Sequence, residues 1–321
     1  TLPQYFRVLF DASGRNMEDY FKIQPVRPHW RNFFEDGTVV DLHPDLNLMK
    51  QELAKLDDYS FDQFTKFLDY SEKQYDILSE GYFDNGLDTI RDFIKFYSLS
   101  SISKIDFFRS MHSSVAKYLK NPYLIDIMDY FIKYVGSSAY DAPGFMNLMP
   151  TIQHKFDLWY VPGGMYKVAE GFKKYIDELG IKINFNSEVS QILNEKDRVT
   201  GIIVNNEVHK ADIVVSNMEV IPVYKKLLKE PEAFTNKLNR FEPACSGLVL
   251  DLGLDIQYPQ LAHHNFLFSK DQKKHFEIVF HKKQLPPDPT IYLVDASKSD
   301  AAVAPKNCSG LKVLPHIRSE E

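Results

Sequence analysis

The chain has 321 residues, 44% hydrophobic and 14% aromatic, enough to bury one large core or two moderate ones and too apolar to stay disordered. Its formal net charge of −6 provides no global positive field for nucleic acid or anionic lipid, so any membrane contact has to be apolar or local. Cys245 and Cys308 form no C-x-x-C pair, which argues against a disulfide framework or a zinc site and makes a reducing, cytosolic setting the simpler reading.

The opening TLPQYFRVLF lacks the basic flank and small-residue cleavage site of a signal peptide, and no run approaches the ~18 apolar residues of a spanning helix. After a short helical pattern comes WRNFFEDGTVVDL. Here Asp36-Gly37 between apolar residues predicts a hairpin turn, with a strand pair over about 29 to 42. From His43 to residue 135 the pattern is helical, broken near Gly81, Gly86 and Pro122. The segment 121 to 136 is the clearest helix. Asn121 is placed to cap it and Pro122 to occupy the first turn. Leu124, Met128, Phe131, Ile132 and Val135 form the apolar stripe, and Gly136 ends it. Asp126, Asp129 and Lys133 fall on the other face, which reads as a solvated stripe rather than a catalytic carboxylate pair.

Beyond Pro143, Phe145, Leu148, Met149 and Ile152 give a short helix one very apolar face, which an ordinary core would also explain. Residues 160 to 172, YVPGGMYKVAEGF, place two glycines before a helix over about 164 to 179. Glycines at a helix start can cradle a phosphate. A dinucleotide fingerprint, however, needs three glycines as G-x-G-x-x-G, and none of the 14 glycines make that spacing or a G-x-x-x-x-G-K-[ST] loop. Gly163-Gly164 therefore reads as a tight turn that allows close helix packing or a positive φ. IKINFNSEVSQIL, RVTGIIVNN and ADIVVSN follow as β-branched strand runs, helical patterns return over about 219 to 240, and ACSGLVLDLGL, HNFLFS and TIYLVDAS read as strands of another sheet. Adjacent His263 and His264 on a strand would point to opposite faces and share no metal easily, so no metal site is expected. Cys245 reads as a small buried hydrophobe.

The stretch YVPGGMYKVAEGFKKYIDELGIKINFNSEVSQI followed by ADIVVSN resembles the flavin-domain segment of the bacterial carotenoid desaturases. These are the phytoene and dehydrosqualene desaturases of the flavin amine-oxidase-like superfamily. HWRNFFEDGTVVDLHPDL, the His263-His264-Asn265 run and the Asp300 to Pro305 stretch are similar to further segments of the family, in family order across essentially the whole chain. The family's N-terminal dinucleotide fingerprint and its C-terminal flavin-closing glycine segment have no counterpart in these residues. The sequence thus looks like an internal portion of such an enzyme, and FAD binding by this chain alone is doubtful.

The resemblance implies an α/β, mixed α+β fold: a partial FAD-linked oxidoreductase with a helix-rich substrate domain containing a mixed sheet. The shift from helix-rich to strand-rich composition near residue 156 is the best candidate boundary, and with the resemblance it divides the chain into substrate-binding residues 1–156, partial flavin-binding residues 157–240 and a second substrate-domain part, 241–321. It further implies dehydrogenation of a long apolar isoprenoid, with FAD as cofactor, no nucleic-acid partner and peripheral contact with a membrane from the cytoplasm. A carotenoid oxygenase or ketolase, or a non-catalytic lipophile-binding module, is the alternative, so enzymatic activity of this chain stays open. By the same resemblance Val189 is expected to give a backbone contact to the flavin's adenine. Ser216 and Asn217 lie at a strand end near the cofactor, though a strand-to-helix cap would explain them equally. Phe145, Met146 and Met149 are expected to line a substrate tunnel, with His263 or His264 facing it, and an ordinary packed core is the alternative for each. No catalytic acid or base is assigned.

Overall fold

The hairpin forms where the Asp36-Gly37 pair allows the chain to reverse. Gly37 sits at φ +86°, and the Asp36 carboxylate accepts the Thr38 N–H at 2.9 Å. In the computed structural model, which describes residues 2–85, 89–196, 198–241 and 246–317, this turn joins the antiparallel strands Trp30–Phe33 and Val39–Leu42. The hairpin is one edge of a seven-stranded mixed sheet. Trp30–Phe33 runs parallel to His264–Leu267, which is followed by Ile291–Asp295 and Ser309–Ile317 in antiparallel order. The last of these also pairs with Ser246–Gly247 and Leu250–Leu254.

By contacts the chain divides into two compact units, Thr1–Lys174 with Ala244–Glu321, and Tyr175–Pro243. In the first, helices lie on the sheet around a core that includes Trp30, Phe67, Leu124, Met128, Phe131 and Phe266. Polar pins hold the helices in register. Thr151 Oγ1 donates to Ser71 Oγ at 2.8 Å, tying Leu148–Phe156 to Ser60–Ser79, and Tyr70 and Ser114 both donate to the Asp106 carboxylate, at 2.7 and 2.6 Å. The methionine and phenylalanine run after Pro143 forms a 3-10 turn, Gly144–Asn147, that leads into Leu148–Phe156.

The segment 121 to 136 starts as expected, with Asn121 accepting the Tyr123 N–H and Pro122 in the first turn. It is α-helical only over Pro122–Asp129, tightens to 3-10 over Tyr130–Tyr134, and ends at Gly136 with φ +74°. Its polar face is not the solvated stripe expected from the sequence. Asp129 is fully buried against His112 of the helix Met111–Tyr118, and Lys133 lies over Trp30 and Phe266 of the sheet. A helix packed on two sides has no wholly wet face, and periodicity alone cannot reveal the second neighbour.

In the second unit, Val189–Glu195, Arg198–Val204 and Glu207–Lys210 form an antiparallel meander. Asn205 and Asn206, both at positive φ, make its second turn. At Gly201 a β-carbon would come within 2.4 Å of the His209 carbonyl oxygen, so only glycine fits. The runs 181–185 and 211–217, expected as strands, are not paired with any described strand, and Ile213 and Val215 are 81% and 90% exposed. A β-branched run becomes a strand only where another backbone supplies the ladder.

Candidate active site

Both glycines of the Gly163-Gly164 turn need their residue type for backbone reasons, with φ at +82° and +90°. Their amides are already bonded. The Gly163 N–H donates to Asp300 Oδ2 at 2.7 Å, and the Gly164 N–H to the Val161 carbonyl at 2.8 Å. A turn whose amide is held by a carboxylate repels a phosphate rather than cradling it. Close helix packing is supplied about two turns further on, at Gly171. A β-carbon at Gly171 would lie 2.8 Å from Phe21 Cδ1 and 3.1 Å from the Tyr20 carbonyl oxygen, while one at Gly164 would meet nothing within 4 Å.

The apolar segment after Pro143 borders a cavity of about 240 Å³ whose lining includes Leu78, Tyr134, Phe145, Met146, Met149 and Ile152. Among the described residues no charged side chain lines it; Gln153 and the hydroxyls of Tyr82 and Tyr134 are its polar features. The three residues expected to line a tunnel are thus brought together in one hollow. Tyr134, which lines the cavity, is 51% exposed, and desolvation by the surrounding protein raises its phenol.

His263 and His264 do not line this cavity. Nor do they point to opposite faces, since their rings lie 4.4 Å apart, edge to face. The strand begins at His264, so the alternation that separates neighbours does not extend to His263. His263 Nδ1 is 2.7 Å from Ser299 Oγ, and His264 Nδ1 is 2.7 Å from the Tyr292 hydroxyl. Burial lowers His263 to about 4 and His264 well below the usual range, so both are neutral near pH 7. His29 is likewise lowered to about 4 by burial, against the opposing pull of Asp157 2.6 Å away. Asp157 settles at about 2: its own burial is outweighed by the paired Arg27 guanidinium bonds and the His29 contact.

His264, Phe266, Trp30 and Tyr292 stand on one face of the sheet by register, with Phe266 opposite Tyr292. Against that face lies the Lys133 Nζ, 3.7 Å from the Trp30 ring centre, 3.8 Å from Phe266, 4.9 Å from Tyr134 and 5.0 Å from Tyr292. Sequence reasoning misses this residue because helical spacing groups it with Asp126 and Asp129. The aromatic density of YFIKY, residues 130 to 134, is the available signal.

Of the residues expected at the flavin, Val189 opens Val189–Glu195, an edge strand among the described strands whose outer backbone is free of a sheet partner. Ser216 and Asn217 are exposed and lie outside any strand; Ser216 Oγ accepts the Met218 N–H at 3.3 Å, the capping role that the sequence equally allows. The outer edge of the Val189 strand has no partner among the described strands, whereas both amides of the Gly-Gly turn are bonded. Cys245 lies outside the described residues. No group of three or more metal-ligating side chains occurs among the described residues.

Comparison with known proteins gives this geometry its family. Residues 3–245 match the family described as flavin containing amine oxidoreductase. The chain is 51% identical over 319 residues to the 4,4'-diapolycopene oxygenase of Methylomonas sp, and 42% identical over 320 residues to the 4,4'-diaponeurosporene oxygenase of Staphylococcus aureus (strain USA300). In both cases 99% of this chain is covered, and the chain spans 64% of the relative's length. Among solved structures, an oxidoreductase from Methanosarcina mazei matches with a TM-score of 0.56 at 16% identity, over 94% of this chain and 63% of that one. A putrescine oxidase redesigned in its cofactor binding matches with a TM-score of 0.55 at 11% identity, over 97% and 61%. These two show the fold, a mixed helix and sheet architecture. The chain belongs to the flavin-containing amine oxidoreductase family, with FAD as the family's cofactor.

Proposed function

We propose that the protein to which this chain belongs oxidises a long, acyclic, apolar polyene, and that it adds oxygen to the polyene rather than only removing hydrogen. The observation that carries the substrate class is the uncharged cavity bordered by Phe145, Met146 and Met149. A hydrocarbon offers no charge and almost no hydrogen bonds, so apolar shape is the means by which a protein can select it. Oxygenation is favoured over desaturation by the names of the relatives, both called oxygenases, at 51% and 42% identity.

Dioxygen would supply the added oxygen atom, and bound FAD would carry the electrons that activate it. The residues of this chain bind, orient and exclude water. Phe145, Met146 and Met149 grip the chain of the substrate; Tyr134 and Gln153, with Tyr134 OH 3.3 Å from Gln153 Oε1, mark a polar corner of the hollow. His263 and His264 are neutral and bonded, so they act as fixed dipoles beside the site rather than as proton carriers near pH 7. Val189 gives an open strand edge to the adenine end of the cofactor, and exposed Ser216 and Asn217 offer polar groups from the same unit. Attachment to a membrane, where such a substrate resides, would rest on exposed apolar groups such as Phe108 and Tyr82 rather than on charge.

Expression in a bacterial host that accumulates 4,4'-diapolycopene or 4,4'-diaponeurosporene, grown under isotopically heavy dioxygen, tests the reading. Heavy oxygen in the polyene supports it. Loss of hydrogen with no oxygen gained replaces it with desaturation, and an unchanged polyene beside well-folded protein favours a binding module.

A further inference from the structure

The geometry points to Lys133 as a carbonyl-capturing amine that forms a Schiff base with the aldehyde end of an apolar chain. Four aromatic rings, those of Trp30, Phe266, Tyr134 and Tyr292, lie with their centres between 3.7 and 5.0 Å from Nζ. Among the described residues no carboxylate comes within 4.0 Å of it, and no hydrogen bond holds it. An amine used for structure is normally paired, because an unpaired buried ammonium costs several kcal/mol of lost hydration while a cation over a ring regains about 0.5–2 kcal/mol. Two rings within 4 Å do not close that gap. Burial accordingly lowers Lys133 well below the usual lysine range, which favours the uncharged, nucleophilic form of the amine.

The nitrogen is nevertheless not sealed. The side chain keeps part of its surface open, and Nζ is not one of the fully enclosed polar atoms that lack a partner. Tyr134, which lines the 240 Å³ apolar cavity, is also one wall of the cage. A carbonyl is the one strong electrophile that an oxidised polyene end would present.

In the capture step Nζ attacks the carbonyl carbon and a C–N bond forms. Both amine protons pass to the carbonyl oxygen, which leaves as water, and a C=N bond remains. No oxidant or reductant is consumed. That the aldehyde sits on a polyene rests on the function proposed above; the reactivity of the amine does not.

The test uses the chain with farnesal, an unsaturated isoprenoid aldehyde, near pH 7, followed by borohydride reduction and peptide mass mapping. Neither FAD nor turnover is needed, so a failure of the oxygenase reading leaves this result untouched. The expected outcome is one adduct per chain at Lys133, which blocks tryptic cleavage before Tyr134. Exposed lysines have fewer than about one amine in a thousand unprotonated at this pH, so Lys133 should be labelled on the order of a hundredfold faster than any of them. Squalene, which has the chain and no carbonyl, should slow the labelling by competition. Adducts spread over surface lysines with Lys133 unmodified would overturn the proposal. The wild-type map decides this by itself, and Lys133→Met, checked for a native near-ultraviolet circular dichroism spectrum, should abolish the single adduct.

Discussion

The Nζ of Lys133 lies 3.7 Å from the centre of the Trp30 ring, on a segment whose spacing assigns that lysine to solvent. If the cage existed to stabilise a charge, removing the amine would weaken the fold. An unpaired buried amine more often opposes folding. Lys133→Met, which keeps the stem and drops the nitrogen, is therefore expected to leave stability unchanged or raise it by about 1 kcal/mol. Urea denaturation midpoints check this, and a loss of more than about 1 kcal/mol would show that the cation–π contacts dominate.

Gly164 and Gly171 are glycines for different reasons, and substitution separates them. At Gly164 the space is open but φ is +90°, so Gly164→Ala should cost about 1–2 kcal/mol of stability in flavin-free protein. At Gly171 the backbone is helical and the obstacle is contact with Phe21 and Tyr20, so Gly171→Ala should cost about 1–3 kcal/mol and be partly relieved by adding Phe21→Leu. Midpoints for the single and double variants distinguish strain from crowding. An unchanged midpoint for Gly164→Ala would rule out the backbone reading of the turn.

Asp126 is raised to about 7, by burial first and by the charge of Asp129 second, with His112 acting the other way. An unfolded carboxyl titrates near 3.8, so between there and about 7 the folded chain holds the extra proton. Stability from this group is complete below the unfolded value and is lost as pH rises through the folded one. The His112–Asp129 pair, 2.6 Å apart, adds to the same slope, since its bond raises His112. Asp126→Asn should therefore flatten the fall in urea midpoint between about pH 5 and pH 8 without removing it. Parallel wild-type and variant curves would mean that Asp126 is ionised in the fold at both ends.

Much of this architecture is legible in the amino-acid sequence alone. The Asp36-Gly37 hairpin, the Asn121-Pro122 helix start, the Gly136 stop and the apolar run at Phe145 to Ile152 are local signals with local causes, and each stands where the spacing places it. What the sequence does not reveal is long-range. Periodicity assigns Asp129 and Lys133 to water because it reports one buried face and is silent about a second neighbour, here the sheet at Trp30 and the helix at His112. Residues 211–217 read as a strand because Ile213, Val214 and Val215 prefer one, yet a strand is made by its partner. The His263–His264 geometry departs from simple alternation because the strand starts at the second of the two histidines.

The claim on which the functional reading depends is that the hollow at Phe145, Met146 and Met149 holds the polyene. Met149→Trp fills that hollow with a larger apolar side chain and changes no charge. Absorbance titration with 4,4'-diaponeurosporene in detergent, wild type beside variant, measures it most directly. Wild type should bind saturably, and Met149→Trp, folded by circular dichroism, should bind at least about tenfold more weakly, as expected when an apolar chain is displaced from its pocket. Equal binding by the two proteins would contradict the assignment and move the substrate elsewhere in the fold.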